Sequence, residues 1–76
     1  MDTKRLIVEL INKNDGKWTW YQLERGLSLR GLGGQVNSVL EAEELVSDGL
    51  LAIAADPAFP APLYFVTAKG KRFIEH

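Results

Sequence analysis

The stretch LEAEELVSDGLLAI, residues 40–53, changes its hydrophobic period at Gly49. Before the glycine, apolar residues recur about every three or four positions, which indicates a helix. After it, Leu50 to Ala55 form a short apolar run, which indicates a strand. Neither Pro nor Gly interrupts residues 35–48, and glycine is typical just past a helix end. The stretch therefore predicts a helix over residues 33–48 that leads into a β-strand.

The sequence after this strand completes a hairpin. Residues 56–62, DPAFPAP, contain all three prolines of the chain and predict a loop. Residues 63–66 are a second apolar run with two aromatic side chains, which predicts the returning strand. Thr67 stands where its hydroxyl can cap a short closing helix through Phe73 and Ile74.

Two more helices are predicted before residue 33. Four aliphatic residues between positions 6 and 11 recur at helical spacing and predict a helix over residues 3–14, ended by Gly16 in a left-handed conformation. Thr19 stands three residues before Gln22, which is the spacing of a capping box. A short second helix should begin there and turn at residues 29–34.

Length and composition limit the classes of protein to consider. A chain of 76 residues has room for one domain, residues 1–76. The absence of cysteine excludes disulfides and thiolate metal sites, and no cofactor motif is present, so we expect no cofactor. No apolar run is long enough to cross a bilayer, and the charged start of the chain does not resemble a signal sequence, which predicts a cytoplasmic protein without a membrane partner.

Catalytic chemistry has little support in the sequence. The only histidine is His76, and no residues are spaced as metal ligands or as a phosphate-binding loop. Glu43 and Glu44 are adjacent on the predicted helix and point apart, so they do not form a catalytic pair. We therefore expect a binding protein and no enzyme, with no catalytic or metal-ligating residues.

The order of elements resembles the winged-helix branch of the helix-turn-helix DNA-binding domains. Two stretches carry the resemblance: residues 40–53, and YFVTAKGKRFIEH at residues 64–76 with its threonine-lysine-glycine turn. The resemblance implies an α+β fold with a three-helix core, a C-terminal two-stranded wing and a short closing helix. It further implies that helix 33–48 is a recognition helix for double-stranded DNA, as in a transcription regulator, and that specific binding requires a homodimer.

The resemblance places the DNA contacts near the start of helix 33–48. The backbone amides after Gly33 and Gly34 can hold a phosphate at the positive end of the helix dipole, and polar side chains nearby can reach base edges. The alternative is that the glycines only form a turn and the side chains are solvated. The residues expected to contact DNA are Arg30, Gln35, Asn37, Ser38, Lys17 and Arg25, and Lys69, Lys71 and Arg72 would extend their basic rim if the fold brings them together.

Two features favour a protein partner as the alternative. Asn37, Glu41 and Glu44 share the predicted outer side of helix 33–48, where two carboxylates would repel phosphates. Loop 56–62 contains no Lys or Arg, and its prolines hold Phe59 as an apolar tip that a protein partner can cover. In this hypothesis the domain docks through Phe59, Glu41 and Glu44.

Several apolar side chains have two interpretations. Trp18, Trp20 and Tyr21 fit a platform for stacking bases, although aromatic residues beside a helix cap more often belong to the core. We expect Trp18 to be buried and Trp20 or Tyr21 to be partly exposed. Leu40, if exposed, is expected to join Leu45 in a dimer contact.

Overall fold

The computed structural model describes residues 3–31 and 37–75, and within them the chain has an α+β fold. These residues form four helices and one two-stranded antiparallel sheet. In chain order the elements are α1 (Thr3–Lys13), α2 (Trp20–Ser28), α3 (Ser38–Ser47), β1 (Leu51–Ala54), β2 (Leu63–Val66) and α4 (Ala68–Ile74).

Helix α1 lies at the centre of the molecule. Its residues Ile7, Val8 and Ile11 are fully buried and Leu10 nearly so, and the helix contacts α2, α3, β2 and α4. Burial of four aliphatic side chains from one helix removes a large apolar area from water, which is the main stabilising contribution in a domain of this size. The predicted helix is confirmed to within a residue, and the turn after it contains Gly16 at a φ of 75°.

Helix α2 begins at the predicted capping box. The Thr19 N–H donates to Oε1 of Gln22 at 2.9 Å, and Oγ1 of Thr19 accepts from the N–H of Tyr21 at 3.3 Å. Two of the donors that every helix N-terminus leaves without an intrahelical acceptor are thereby satisfied. Leu23 and Leu27 of α2 are buried in the core.

The segment between α1 and α2 covers the outer edge of β2. Strand β1 pairs with β2 along one side, with Leu51 opposite Val66. On the other side the Tyr64 N–H donates to the Trp18 carbonyl at 2.8 Å, and the Gly16 N–H donates to the Tyr64 carbonyl at 3.0 Å. The side chain of Asp15 accepts from the Val66 N–H at 2.8 Å. Residues 15–18 therefore satisfy main-chain groups that an edge strand would otherwise expose.

Helix α3 begins at Ser38 and ends at Ser47, so it is shorter than the predicted helix over residues 33–48. Asn37 precedes it in an extended conformation, and its Oδ1 accepts from the Leu40 N–H at 3.1 Å, so Asn37 is the N-cap and lies outside the helix. Residues 32–36, including Gly33, Gly34 and Gln35, lie outside the described residues.

The sequence places Val39, Ala42 and Val46 opposite Asn37, Glu41 and Glu44, and the buried face of α3 is rotated from that predicted inner side. Ser38, Ala42 and Leu45 are buried, whereas Leu40 is about half exposed. The expected pairing of Leu40 with Leu45 in a dimer contact is wrong, because Leu45 is fully buried in the core of its own chain.

The closing helix α4 is capped as expected. The Gly70 N–H donates to Oγ1 of Thr67 at 3.0 Å, and the partly buried side chains of Phe73 and Ile74 pack on the core. Among residues 3–31 and 37–75, the helices are too short and too polar for any of them to traverse a lipid bilayer.

Candidate binding surfaces

The polar residues at the start of α3 that were predicted to read bases serve as the helix cap or are buried where the structure describes them. The Asn37 side chain is occupied as the helix cap. Ser38 is only 3% exposed and offers almost no surface to a base edge. Gln35 lies outside the described residues. In the described part of this region, the polar side chains at the helix start contribute to folding, and their DNA contacts remain a prediction.

Arg25 and Arg30 lie on one face of the molecule. A third basic side chain, which the sequence did not single out, lies beside them. Arg25 projects from α2, and the guanidinium of Arg30 donates to the Gly26 carbonyl at 3.2 Å, which holds it against the end of that helix. Lys13, at the end of α1, lines the same groove. Lys17 lies exposed in the turn between α1 and α2.

This groove, which we call the cationic groove, has a volume of about 440 Å³. Apolar groups form much of its lining, and the described lining residues include three cations and no carboxylate. The lining residues are Leu10, Lys13, Asn14, Trp18, Gln22, Arg25, Gly26, Leu29 and Arg30.

The basic side chains of α4 do not extend this groove. Lys69 donates to the Asp48 carbonyl at 2.8 Å and so caps the end of α3. Lys71 and Arg72 are exposed on α4 and are not among the described lining residues of the cationic groove. Of the cations expected to form the basic rim, Arg25 and Arg30 are the ones among the described lining residues of the groove, and Lys13, which was not expected, accompanies them.

The carboxylates predicted to bind a partner lie on the flank of α3 that faces α1. Glu44 forms an ion pair with Lys4 at 3.0 Å. The hydrogen bond and the charge of Glu44 raise the pKa of Lys4, and Glu41 adds to the effect. Glu44 therefore links α3 to α1 and is engaged within the chain.

The tip of the hairpin loop is held by Asp56. The carboxylate of Asp56 accepts from the Ala58 N–H at 2.9 Å, and its carbonyl accepts from the Phe59 N–H at 3.0 Å. Such turns are typical of Asp because its short side chain reaches the main chain two residues ahead. Phe59 is 42% exposed, as expected for an apolar tip.

A second groove, which we call the hairpin groove, lies between α2, α3 and the hairpin. Its volume is about 110 Å³. Trp20, Val39 and Ile53 border it with 41%, 39% and 51% of their surfaces exposed. The rings of Trp20 and Tyr21 make an edge-to-face contact, with centroids 5.8 Å apart. The lining residues are Trp20, Val39, Glu43, Val46, Ile53, Pro62 and Tyr64.

Glu43 is the acidic residue of the hairpin groove. Burial raises the pKa of the Tyr64 phenol, and the negative charge of Glu43 raises it further, which reflects the closeness of the two groups. In the described parts of the chain Glu43 forms no ion pair. The Glu43 carboxylate therefore lines an otherwise mainly apolar groove and is available to pair with a cation of another molecule.

The two grooves lie on different sides of α2. At about 100° per residue, Trp20 is separated from Arg25 and Leu29 by roughly 140° to 180° around the helix axis. Trp18 lines the cationic groove and Trp20 lines the hairpin groove, so each groove contains one of the two tryptophans. Trp20 is partly exposed, as expected, whereas Trp18, which was expected to be buried, is only partly buried.

Of the described residues that line the hairpin groove, Trp20 alone was singled out from the sequence as a candidate binding residue. A signal was present on α3, because Val39, Glu43 and Val46 recur at spacings of three and four and share one flank of a helix. Ile53 gave no comparable signal, since its neighbours in the groove come from other elements of the fold.

Comparisons with known proteins add no assignment: no protein-family model matches the chain, and searches of curated proteins and of solved structures gave no significant match.

Proposed function

We propose that the chain is a winged-helix domain that binds a segment of a partner protein in the hairpin groove. The winged-helix assignment is supported by the order of elements, with three helices, a two-stranded hairpin and a closing helix. The observation that carries the function is the convergence of exposed Trp20, Val39 and Ile53 around Glu43. Contiguous exposed apolar surface with a polar group at its margin is typical of sites where proteins associate.

The groove favours one apolar side chain accompanied by a cation. Its volume of about 110 Å³ is below the range of small-molecule sites, which is roughly 300–1,000 Å³, and suits a single anchoring side chain. Glu43 offers charge complementarity to a neighbouring Lys or Arg of the partner. Helix α3 itself contains three Glu and no basic residue, which disfavours a polyanion on this face.

Selection of binders from a random peptide library tests this proposal. We expect enriched peptides to share an apolar residue next to Lys or Arg, and to shift the indole N–H resonance of Trp20 in NMR spectra but not that of Trp18. Trp20→Ala and Glu43→Gln should each weaken the selected peptides by about tenfold or more, since hot-spot truncations cost above ~1.4 kcal/mol. Glu41→Gln, on the other flank of α3, is the matched control.

The proposal is overturned if the library yields no such consensus, or if the selected peptides bind Trp20→Ala and Ile53→Ser as tightly as the wild type. Circular dichroism of each variant separates loss of binding from loss of folding. A shift of the Trp20 resonance by duplex DNA would instead assign this face to nucleic acid.

Binding of double-stranded DNA is a second candidate function, favoured by the grouping of Lys13, Arg25 and Arg30 around one groove. Neutralised phosphates release counterions, and each contributes about −0.9 to the slope of log affinity against log salt. Titration of a duplex oligonucleotide at several salt concentrations should then give a slope that Arg25→Ala and Arg30→Ala each make shallower by about 0.9. Absence of micromolar binding at low salt would contradict this candidate.

A further inference from the structure

The cationic groove combines an apolar floor with a positively charged rim. We propose that it binds a small amphipathic anion, with a flat hydrocarbon body and one carboxylate. The inference does not rest on the proposed protein partner, because the two grooves share no lining residue.

The floor of the groove is built for a flat apolar group. Leu10 is 4% exposed and forms part of the core beneath it. Residue 26 has no side chain, and a Cβ there would stand 3.0 Å from Cη2 of Trp18, so the indole ring lies directly against α2. Leu29, the C-cap residue after this helix, continues the apolar surface with 85% of its own surface exposed. An exposed leucine beside an indole ring gives a ligand an apolar surface that water would otherwise cover.

The rim supplies the charge. Lys13 comes from α1, and Arg25 and Arg30 come from α2 and the residues after it. Cations are favourable near the C-terminus of any helix, because of the helix dipole. The dipole does not explain why these three side chains border the same groove. The hydrogen bond from Arg30 to the Gly26 carbonyl fixes its guanidinium at the groove before any ligand arrives. A guanidinium is well suited to a carboxylate, because its N–H groups match the two oxygens.

Size and polarity together define the ligand class. A volume of about 440 Å³ is within the range of roughly 300–1,000 Å³ found for small-molecule sites. A nucleic-acid backbone would meet the three cations but leave the apolar floor uncovered. An aromatic or aliphatic carboxylate covers both, and is therefore the ligand that these observations favour.

Titration with 2-naphthoate, observed through the two indole N–H resonances of isotope-labelled protein, tests the proposal. The resonances are assigned from Trp18→Phe and Trp20→Phe spectra. We expect a saturable shift of Trp18 with Trp20 unchanged, and affinity for the carboxylate about tenfold higher than for neutral 2-naphthamide. Arg25→Gln and Lys13→Gln should each weaken 2-naphthoate several-fold, whereas Lys71→Gln on α4 should leave its affinity unchanged.

Equal affinity for the acid and the amide, parallel shifts of both tryptophans, or an equal effect of Lys71→Gln would overturn the proposal. So would a duplex oligonucleotide that shifts Trp18 while 2-naphthoate does not, since the cations would then serve phosphates. Because Arg25 is exposed and Lys13 lies on a different helix, the two variants provide independent tests if one of them folds poorly. Peptide binding is detected at Trp20, so failure of this proposal and failure of the proposed protein-binding function are distinguishable.

Discussion

Gly70 of α4 lies against the main-chain carbonyl of Leu50, so closely that a Cβ on residue 70 would stand 2.1 Å from the Leu50 oxygen. The same oxygen accepts from the Thr67 N–H at 3.2 Å, and the Thr67 hydroxyl donates to the Gly49 carbonyl at 2.6 Å. The glycine in the sequence TAKGKRF thus allows the closing helix to pack directly on the junction between α3 and β1.

Gly70→Ala should destabilise the fold strongly. The contact partner is backbone, which cannot rotate away, so we expect a loss of about 3 kcal/mol, at the upper end of overpacking effects. Urea denaturation followed by circular dichroism measures the loss. Lys71→Ala, at an exposed position of the same helix, is the control and should change stability by less than about 0.5 kcal/mol. A loss below about 1 kcal/mol for Gly70→Ala would contradict this prediction, because it would show that α4 moves away from Leu50 easily.

Asp15→Ala should weaken the cover over the edge of β2. The substitution removes the acceptor for the Val66 N–H, 51 residues away in sequence, and we expect a loss of about 1–2 kcal/mol. Asp15→Asn keeps an oxygen at the same place and should lose less than half as much. Equal losses for the two variants, compared by urea denaturation, would mean that the charge of Asp15 matters and not its hydrogen bond.

Thr19→Ala should reduce stability by about 1 kcal/mol, because it removes the N-cap of α2. Thr19→Ser keeps the hydroxyl and should retain most of that stability. Combined with Gln22→Ala, the loss should be smaller than the sum of the two single losses, since both residues belong to one capping box. Strict additivity in thermal or urea unfolding would argue against the reciprocal cap.

Tyr64 should make the fold sensitive to alkaline pH. Burial, aided by Glu43, raises the pKa of its phenol above the ordinary value of 10.0. As the pH rises past that ordinary value, the unfolded chain releases the proton first. The contribution of Tyr64 to stability is therefore complete below about pH 10 and is lost as the pH rises through the raised pKa.

Tyr64→Phe measures this contribution. Above about pH 10, the free energy of unfolding of this variant should fall less steeply with pH than that of the wild type, as measured by urea denaturation at a series of pH values. In Glu43→Gln the free energy of unfolding should fall with pH slightly less steeply than in the wild type, because only the smaller cause of the raised Tyr64 pKa is removed. Parallel curves for wild type and Tyr64→Phe would contradict the assignment.

The sequence by itself determined the local structure. The Thr19 and Gln22 cap, the end of α3 just before Gly49, and the Thr67 cap of α4 each depend on residues within a few positions of one another. Interactions of that range form whenever the local chain is helical, so their residue types predict them. The strands were also predicted from the sequence, since periodicity changes at Gly49 and loop 56–62 holds every proline.

Only the tertiary structure decided which faces of these elements are exposed. The helical period places Val39, Glu43 and Val46 on one flank of α3, but the rotation of α3 about its axis is set by packing against α1, α2 and β1. That rotation buries Ser38 and Leu45, exposes Leu40 and directs Glu43 to the hairpin groove. A sequence period fixes which side chains share a face, whereas the neighbours that meet that face come from residues far away in the chain.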